Sequence, residues 1–174
     1  MMRTLIVAAA LCLGSIEVLA ESAAGLRWTA PAGWTNQGSR PMRATYRIPP
    51  AAGDKDSAEC GVYFFGASQG GSVTDNLDRW KGQFKGADGK IAPAQIAKRT
   101  VHGLTVTTID SAGEYSGMGG PMAPGAPVAG YRLLGAIVEG PGGNIFVKFT
   151  GPARTIATNQ QKFDQMLASF QPVK

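Results

Sequence analysis

The chain contains a single histidine, His102, and few residues that are placed for catalysis. A histidine-based nucleophilic site needs a nucleophile and an orienting group at fixed positions around the imidazole ring. Cys60, Asp110 and Ser111 supply these residue types, but nothing in their spacing brings them together. We therefore expect His102 to occupy a two-residue hairpin turn with Gly103, because both residues tolerate positive φ.

A glycine-rich turn, Gly66 to Gly71, follows an apolar segment and precedes Ser72. A turn that opens a helix can bind phosphate through its backbone N–H groups. However, a phosphate-binding loop requires a lysine directly after the glycines, and none is present. Asp75 already complements the positive end of the helix dipole. We expect this turn to be a connection and not an anion site.

The sequence gives little support for a metal site or for a pair of catalytic carboxylates. Thioether sulfur suits Cu(I), but Met118 and Met122 lie in the Gly/Pro-rich segment 116–130 without a histidine beside them. One histidine and one cysteine beyond residue 20 do not make a zinc site. Two acids could converge as in glycosidases, but nothing favours that arrangement. We expect no metal, no cofactor and no catalytic residues, and we interpret Met118 and Met122 as candidate partner-binding residues.

The best basic group is formed by Arg40, Arg43 and Arg47. In the alternating segment 42–48, Arg43 and Arg47 share the polar face of a predicted strand. These three arginines are candidate residues for docking an acidic protein or an anionic envelope component, and a solvated face is the alternative. The net charge of +5 is spread along the chain without stacking aromatics, so nucleic acid is not an expected partner.

Residues 1–20 have the pattern of a secretory signal peptide. Arg3 precedes the apolar run Leu5 to Leu13, and Val18 to Ala20 match a cleavage site. That run is too short for a transmembrane anchor. We expect export to the periplasm or the extracellular space and one domain over residues 21–174. Cys60 is then the only cysteine, and its apolar neighbours favour burial over pairing between chains.

Two segments, Cys60 to Phe65 and Tyr131 to Glu139, are apolar on both faces, which is typical of strands that are covered on both sides. Ser72 begins a predicted helix whose apolar stripe runs from Val73 to Phe84. A second helix is predicted from about Thr155 to Phe170. The order of strands, helix, antiparallel strands and helix predicts an α+β fold, with an antiparallel sheet and helices packed on both faces.

Several stretches resemble the PsbP-like fold, which includes the photosystem II extrinsic subunit PsbP and Ran-binding Mog-type proteins. The resemblance rests on the turn from Trp28 to Trp34, the Gly-Gly hairpin before the strand Ile145 to Phe149, and the final helix ending at Leu167 to Phe170. It implies an α/β/α sandwich around an antiparallel sheet. It also implies a non-enzymatic assembly or binding protein, because most members of the family are of that kind.

Together these observations favour an exported, non-enzymatic binding or accessory protein whose partner is unknown. The alternative is a small extracytoplasmic hydrolase or ligand-binding protein with its site near segment 116–130, since long loops are often functional. An enzyme would require polar groups that converge in a cleft, beside an acid or a base with a shifted pKa.

Overall fold

The structure is a computed structural model that describes residues 20–40, 43–117 and 126–173. The described chain forms two antiparallel sheets and two helices, so the predicted α+β class is confirmed. The elements are β1 (Ala20–Ala23), β2 (Leu26–Thr29), β3 (Thr35–Arg40), β4 (Arg43–Ile48), β5 (Ala58–Tyr63), α1 (Val73–Lys81), β6 (Phe84–Lys85), β7 (Ala94–Val101), β8 (Leu104–Tyr115), β9 (Val128–Gly140), β10 (Gly143–Pro152), α2 (Ala153–Ala168) and β11 (Gln171–Pro172).

The larger sheet has the strand order β3-β4-β5-β10-β9-β8-β6, and β7 also pairs with β8. Strands β5, β10 and β9 are therefore central and have neighbours on both sides. The smaller sheet has the order β1-β2-β11 and joins the N-terminal segment to the end of the chain. All of these pairs are antiparallel, and short connections account for the pairs of successive strands such as β7–β8 and β9–β10.

The central strands bury residues on both faces. In β10, Ile145, Val147 and Phe149 belong to one buried cluster, together with the apolar side chains of α2. Phe146 belongs to a second cluster, which contains Trp80 of α1. Because successive side chains of a strand point to opposite faces, the two clusters lie on opposite sides of β10. Both faces of the sheet centre are thus withdrawn from water.

Helix α1 begins as its sequence predicts. The Asp75 backbone N–H donates to Ser72 Oγ at 3.1 Å, which gives the first turn a side-chain cap. The prediction that Phe84 continues the helical stripe was wrong, because α1 ends at Lys81 and Phe84 lies in β6. Phe84 is still fully buried, since its strand pairs with the end of β8.

Trp28 and Trp34 are both buried in the core. The Trp28 indole N–H donates to the Tyr46 hydroxyl at 3.0 Å, and the Trp28 ring stacks on Phe170. Trp34 donates to Asn159 of α2. Cys60 is a free, fully buried thiol, which confirms the interpretation of its apolar neighbours.

Strand β9 begins inside segment 116–130. Its first residue, Val128, pairs with Tyr115 at the end of β8. The expectation that the whole segment is a loop was therefore wrong for Val128–Gly130. Among the described residues, no helix is long and apolar enough to cross a membrane.

The packing of α1 on the sheet predicts the effect of substituting Gly135 in β9. A Cβ there would lie 2.7 Å from both a Trp80 ring carbon and Ile109 Cγ2. Gly135→Ala should therefore lower the free energy of unfolding by about 1–3 kcal/mol, measured by denaturant titration.

Gly82→Ala at the end of α1 is the matched control. Its Cβ would make ordinary contacts at 3.5 and 3.6 Å, and its φ of −61° suits any residue. This variant should be as stable as the wild-type protein or more stable, because alanine restricts the unfolded chain. Equal stabilities of the two variants would contradict the described packing of Trp80 over Gly135.

Candidate functional site

The main candidate site is a cavity of about 340 Å³ on the sheet face that also carries Phe146. It is formed by side chains of β5, β8, β9 and β10 and by one residue of the segment that precedes β5. We call it the lysine–tyrosine pocket. Its lining residues are Ser57, Glu59, Tyr63, Tyr115, Tyr131, Lys148 and Thr150.

Lys148 is the unusual member of this group, because its side chain is only 8% exposed. Its ammonium group donates to Gln83 Oε1 at 2.6 Å and to the Tyr115 hydroxyl at 3.2 Å. It also lies 5.3 Å from the centroid of the Tyr115 ring. Both hydrogen-bond acceptors are neutral, so they solvate the charge without cancelling it.

Glycines on the two neighbouring strands make room around Lys148. Lys148 is opposite Gly61 in β5 and opposite Gly135 in β9. A Cβ at Gly61 would lie 2.5 Å from the Tyr63 hydroxyl oxygen, and one at Gly135 would meet Trp80. The rings of Tyr63 and Trp80 therefore cover the two glycines and stand on either side of Lys148.

Burial lowers the pKa of the Lys148 ammonium to about 8. The positive charge of Arg79 on α1 lowers this pKa further, and Glu59 opposes the shift. Burial raises the pKa of Tyr115 and of Tyr131, which keeps both phenols protonated at neutral pH. The pocket thus combines a lysine that titrates near neutrality with hydroxyl groups that can donate hydrogen bonds.

Thr150 adds a hydroxyl group to the same wall of the pocket. Its Oγ1 is buried and has no hydrogen-bond partner among the residues that the structure describes. This atom is closed off from the cavity, although Thr150 belongs to the lining. Lys148 and Tyr115 face the same cavity, so their N–H and O–H groups can donate to one acceptor there.

A second cavity, of about 220 Å³, lies between β7 and α2. Arg99 and Asp164 on its rim form an ion pair with N···O at 3.6 Å. Asp110, also in its lining, accepts two hydrogen bonds from the Arg132 guanidinium, at 2.9 and 2.6 Å. The charged side chains of this second cavity are thus already in ion pairs. The lysine–tyrosine pocket is therefore the better candidate.

Of the five predicted partner-binding residues, the structure describes the side chain of Arg47 alone. Arg47 lies at the edge of the pocket, since its Nε donates to Ser57 Oγ at 3.0 Å. Arg40 and Arg43 are backbone partners in the register of β3 and β4. Met118 and Met122 lie outside the described residues.

His102 and the glycine-rich turn have structural roles. His102 adopts a positive φ of 46° in the β7–β8 turn, as predicted, and its Nδ1 lies 2.9 Å from the Phe170 carbonyl oxygen. Gly66, Gly70 and Gly71 all have positive φ. A Cβ at Gly70 would lie 2.7 Å from the Phe146 ring, so this turn packs tightly against the sheet.

Sequence motifs did not indicate Lys148, Tyr115 or Tyr131 as site residues. One signal for Lys148 was present, because it is a lysine inside the apolar segment Ile145 to Phe149. One signal for the tyrosines was their position at the two ends of segment 116–130. Neither signal reveals that strand pairing brings all three side chains into one pocket.

Comparisons with solved structures show a shared fold. Cyanobacterial PsbP from Synechocystis sp. PCC 6803 is 16% identical, with 95% of this chain and 98% of that chain covered and a TM-score of 0.54. A Pseudomonas aeruginosa protein of unknown function, PA94, is 14% identical, with 89% and 96% covered and a TM-score of 0.50. No family model and no curated protein matches the sequence. The chain therefore has a PsbP-like fold, as its resemblance indicated.

The lowered pKa of Lys148 predicts a specific pH dependence of stability. The folded protein releases this proton near pH 8, whereas an unfolded lysine releases it near about pH 10.4. Between these values the unfolded chain binds more protons, so the contribution of Lys148 to the free energy of unfolding rises with pH. Below pH 8 the buried charge exerts its full destabilising effect.

The measurement is the difference in unfolding free energy between the wild-type protein and Lys148→Met from pH 7 to pH 10.5. Taking the difference removes the opposite contributions of Cys60 and Tyr46, whose pKa values are raised by burial in the folded state. The wild-type protein should gain stability relative to the variant as the pH rises. A difference that stays constant would show that Lys148 titrates as an ordinary lysine.

Proposed function

We propose that this protein is an exported, non-enzymatic binding module and that the lysine–tyrosine pocket holds the anionic group of a small ligand. The observation that carries the proposal is the Lys148 ammonium, buried in an open pocket between two neutral acceptors. A buried charge is costly unless an opposite charge or strong hydrogen bonds compensate it. A ligand carboxylate or phosphate would supply that compensation.

The hydrogen-bond donors of the pocket suit such a group. Lys148 has three N–H donors, and the described residues Gln83 and Tyr115 accept from two of them. Because the Tyr115 oxygen accepts from Lys148, its own O–H can donate into the pocket. Hydrogen bonds to a charged acceptor are about twice as strong as neutral ones.

The shape of the pocket favours a small ligand. Its volume of about 340 Å³ lies at the lower end of the range typical of small-molecule sites. The rings of Tyr115 and Tyr131 stack in parallel with centroids 5.8 Å apart and form one wall. Arg47 at the rim adds positive charge that can attract an anion.

We propose that the fold is an α/β/α sandwich, in which the sheet is enclosed between the two helices. The reason is that α1 and α2 contribute to different buried clusters. The proposal also includes a protein partner in the periplasm or extracellular space. This partner would dock on Arg40, Arg43 and Arg47. The PsbP-like fold favours binding or assembly over catalysis only as an analogy.

The alternative expected from the sequence is a hydrolase or a ligand-binding protein, and the position of the pocket favours the ligand-binding protein. Tyr115 is the last residue of β8 and Tyr131 lies near the start of β9, so the pocket is next to segment 116–130. A small-ligand site was expected near that segment. We do not extend this proposal to hydrolysis, because His102 is in the turn at the opposite end of β8.

An NMR titration with acetate tests the proposed site. Acetate should shift the backbone amide resonances of Tyr115, Lys148 and Thr150 more than those of other residues. Lys148→Met should raise the dissociation constant by about tenfold or more, because the variant removes the charge that pairs with the carboxylate.

Lys98→Met is the matched control, because Lys98 is an exposed lysine of β7 and its loss changes the net charge equally. This variant should bind acetate as the wild-type protein does. Equal weakening by the two substitutions would reduce the effect to net charge alone. Resonance shifts confined to the surroundings of Arg47 would likewise place the anion outside the pocket and contradict the proposal.

A further inference from the structure

The Lys148 amine has the surroundings of a nucleophile as well as those of a cation. Its Nζ is at the floor of an open pocket, with the Tyr115 hydroxyl oxygen 3.2 Å away. The second partner, Gln83, is a neutral amide whose oxygen accepts at 2.6 Å. A lysine desolvated among aromatic rings with a hydroxyl group beside it is a recurring arrangement for covalent capture of carbonyl compounds.

We propose that Lys148 forms a reversible imine with a small oxo acid, in which an aldehyde or ketone carbonyl is adjacent to a carboxylate. This inference rests on the proposed function, because the same pocket must first hold the carboxylate. The positive charge of Arg47 at the rim would attract the carboxylate while the carbonyl carbon faces Lys148 Nζ. A ligand that has only the carbonyl group or only the carboxylate would make only one of these two interactions.

The chemical step is balanced without any oxidant or reductant. The neutral amine of Lys148 adds its electron pair to the carbonyl carbon, which forms a C–N bond. Tyr115 gives a proton to the carbonyl oxygen and takes back a proton from nitrogen. Tyr115 then gives a second proton to the new hydroxyl group as the C–O bond breaks, and it takes back the remaining proton from nitrogen. One water molecule leaves, so that amine and carbonyl become imine and water. Addition of water reverses the step and releases the ligand.

The charges around the pocket allow both states of the amine near neutral pH. The titratable and charged groups that face it are Glu59 and Tyr63 on β5, Tyr115 on β8, Tyr131 on β9 and Arg79 on α1. With a pKa of about 8, roughly a tenth of Lys148 is neutral at pH 7, against far less than a hundredth of an ordinary lysine. The tyrosine phenols stay protonated and can act as acids.

Reductive trapping of the wild-type protein tests the inference without any substitution. The protein is incubated at pH 7 with glyoxylate and cyanoborohydride, and peptide mass spectrometry locates the reduced adduct. We expect Lys148 to be labelled about tenfold faster than the exposed Lys98 and Lys162, because more of its amine is neutral. Equal labelling of all three lysines, or labelling that avoids Lys148, would overturn the inference.

Propionaldehyde separates the contribution of the carboxylate. It has a reactive aldehyde but no anionic group, so it should label Lys148 with a smaller preference over Lys98 than glyoxylate does. An equal preference would show that the pocket does not recognise an oxo acid, and would overturn that part of the inference.

Two variants test the roles of the amine and of the hydroxyl group. Lys148→Arg should give no trapped adduct at position 148, because a guanidinium group does not form the imine. Tyr115→Phe should slow trapping at Lys148 by about tenfold, whereas Tyr131→Phe, its stacked neighbour, should slow it less. If wild-type protein binds acetate but is not trapped, the imine alone is refuted. If it neither binds nor is trapped, the proposed function fails with it.

Discussion

The burial of β10 on both faces is the constraint on which the rest of the structure depends. Its odd-numbered side chains from Ile145 to Phe149 enter the cluster that contains α2, and Phe146 enters the cluster that contains α1. The next residue on the Phe146 face is Lys148, the one charged residue among the buried side chains of the described chain. On this face the apolar core therefore ends at Lys148, and neighbouring side chains must solvate its ammonium group.

Solvation of Lys148 explains the composition of the surrounding strands. Gln83 and Tyr115 supply the acceptors, while Gly61 and Gly135 leave space for the rings of Tyr63 and Trp80. These rings exclude water from the sides, which shifts the pKa of the lysine, and they leave the pocket above it open. A purely structural lysine would be expected to pair with a carboxylate or to reach the surface with its ammonium group.

Local patterns in the sequence predicted the elements but not the site. The Ser72 cap, the two helices and the His102–Gly103 hairpin depend on residues close in sequence, so their spacing was informative. Phe84 continued the helical spacing only by coincidence, because α1 ends before it. The pocket depends instead on the register of β5, β8, β9 and β10, and sequence patterns do not specify which strands pair.

The most direct test of the central claim is a crystal structure of the protein grown with selenate. Selenium scatters anomalously, so its position can be located independently of the protein atoms. The account predicts an anomalous peak within hydrogen-bond distance of Lys148 Nζ, inside the lysine–tyrosine pocket. An empty pocket in which Lys148 pairs with a carboxylate, with selenate bound only at surface arginines, would contradict it.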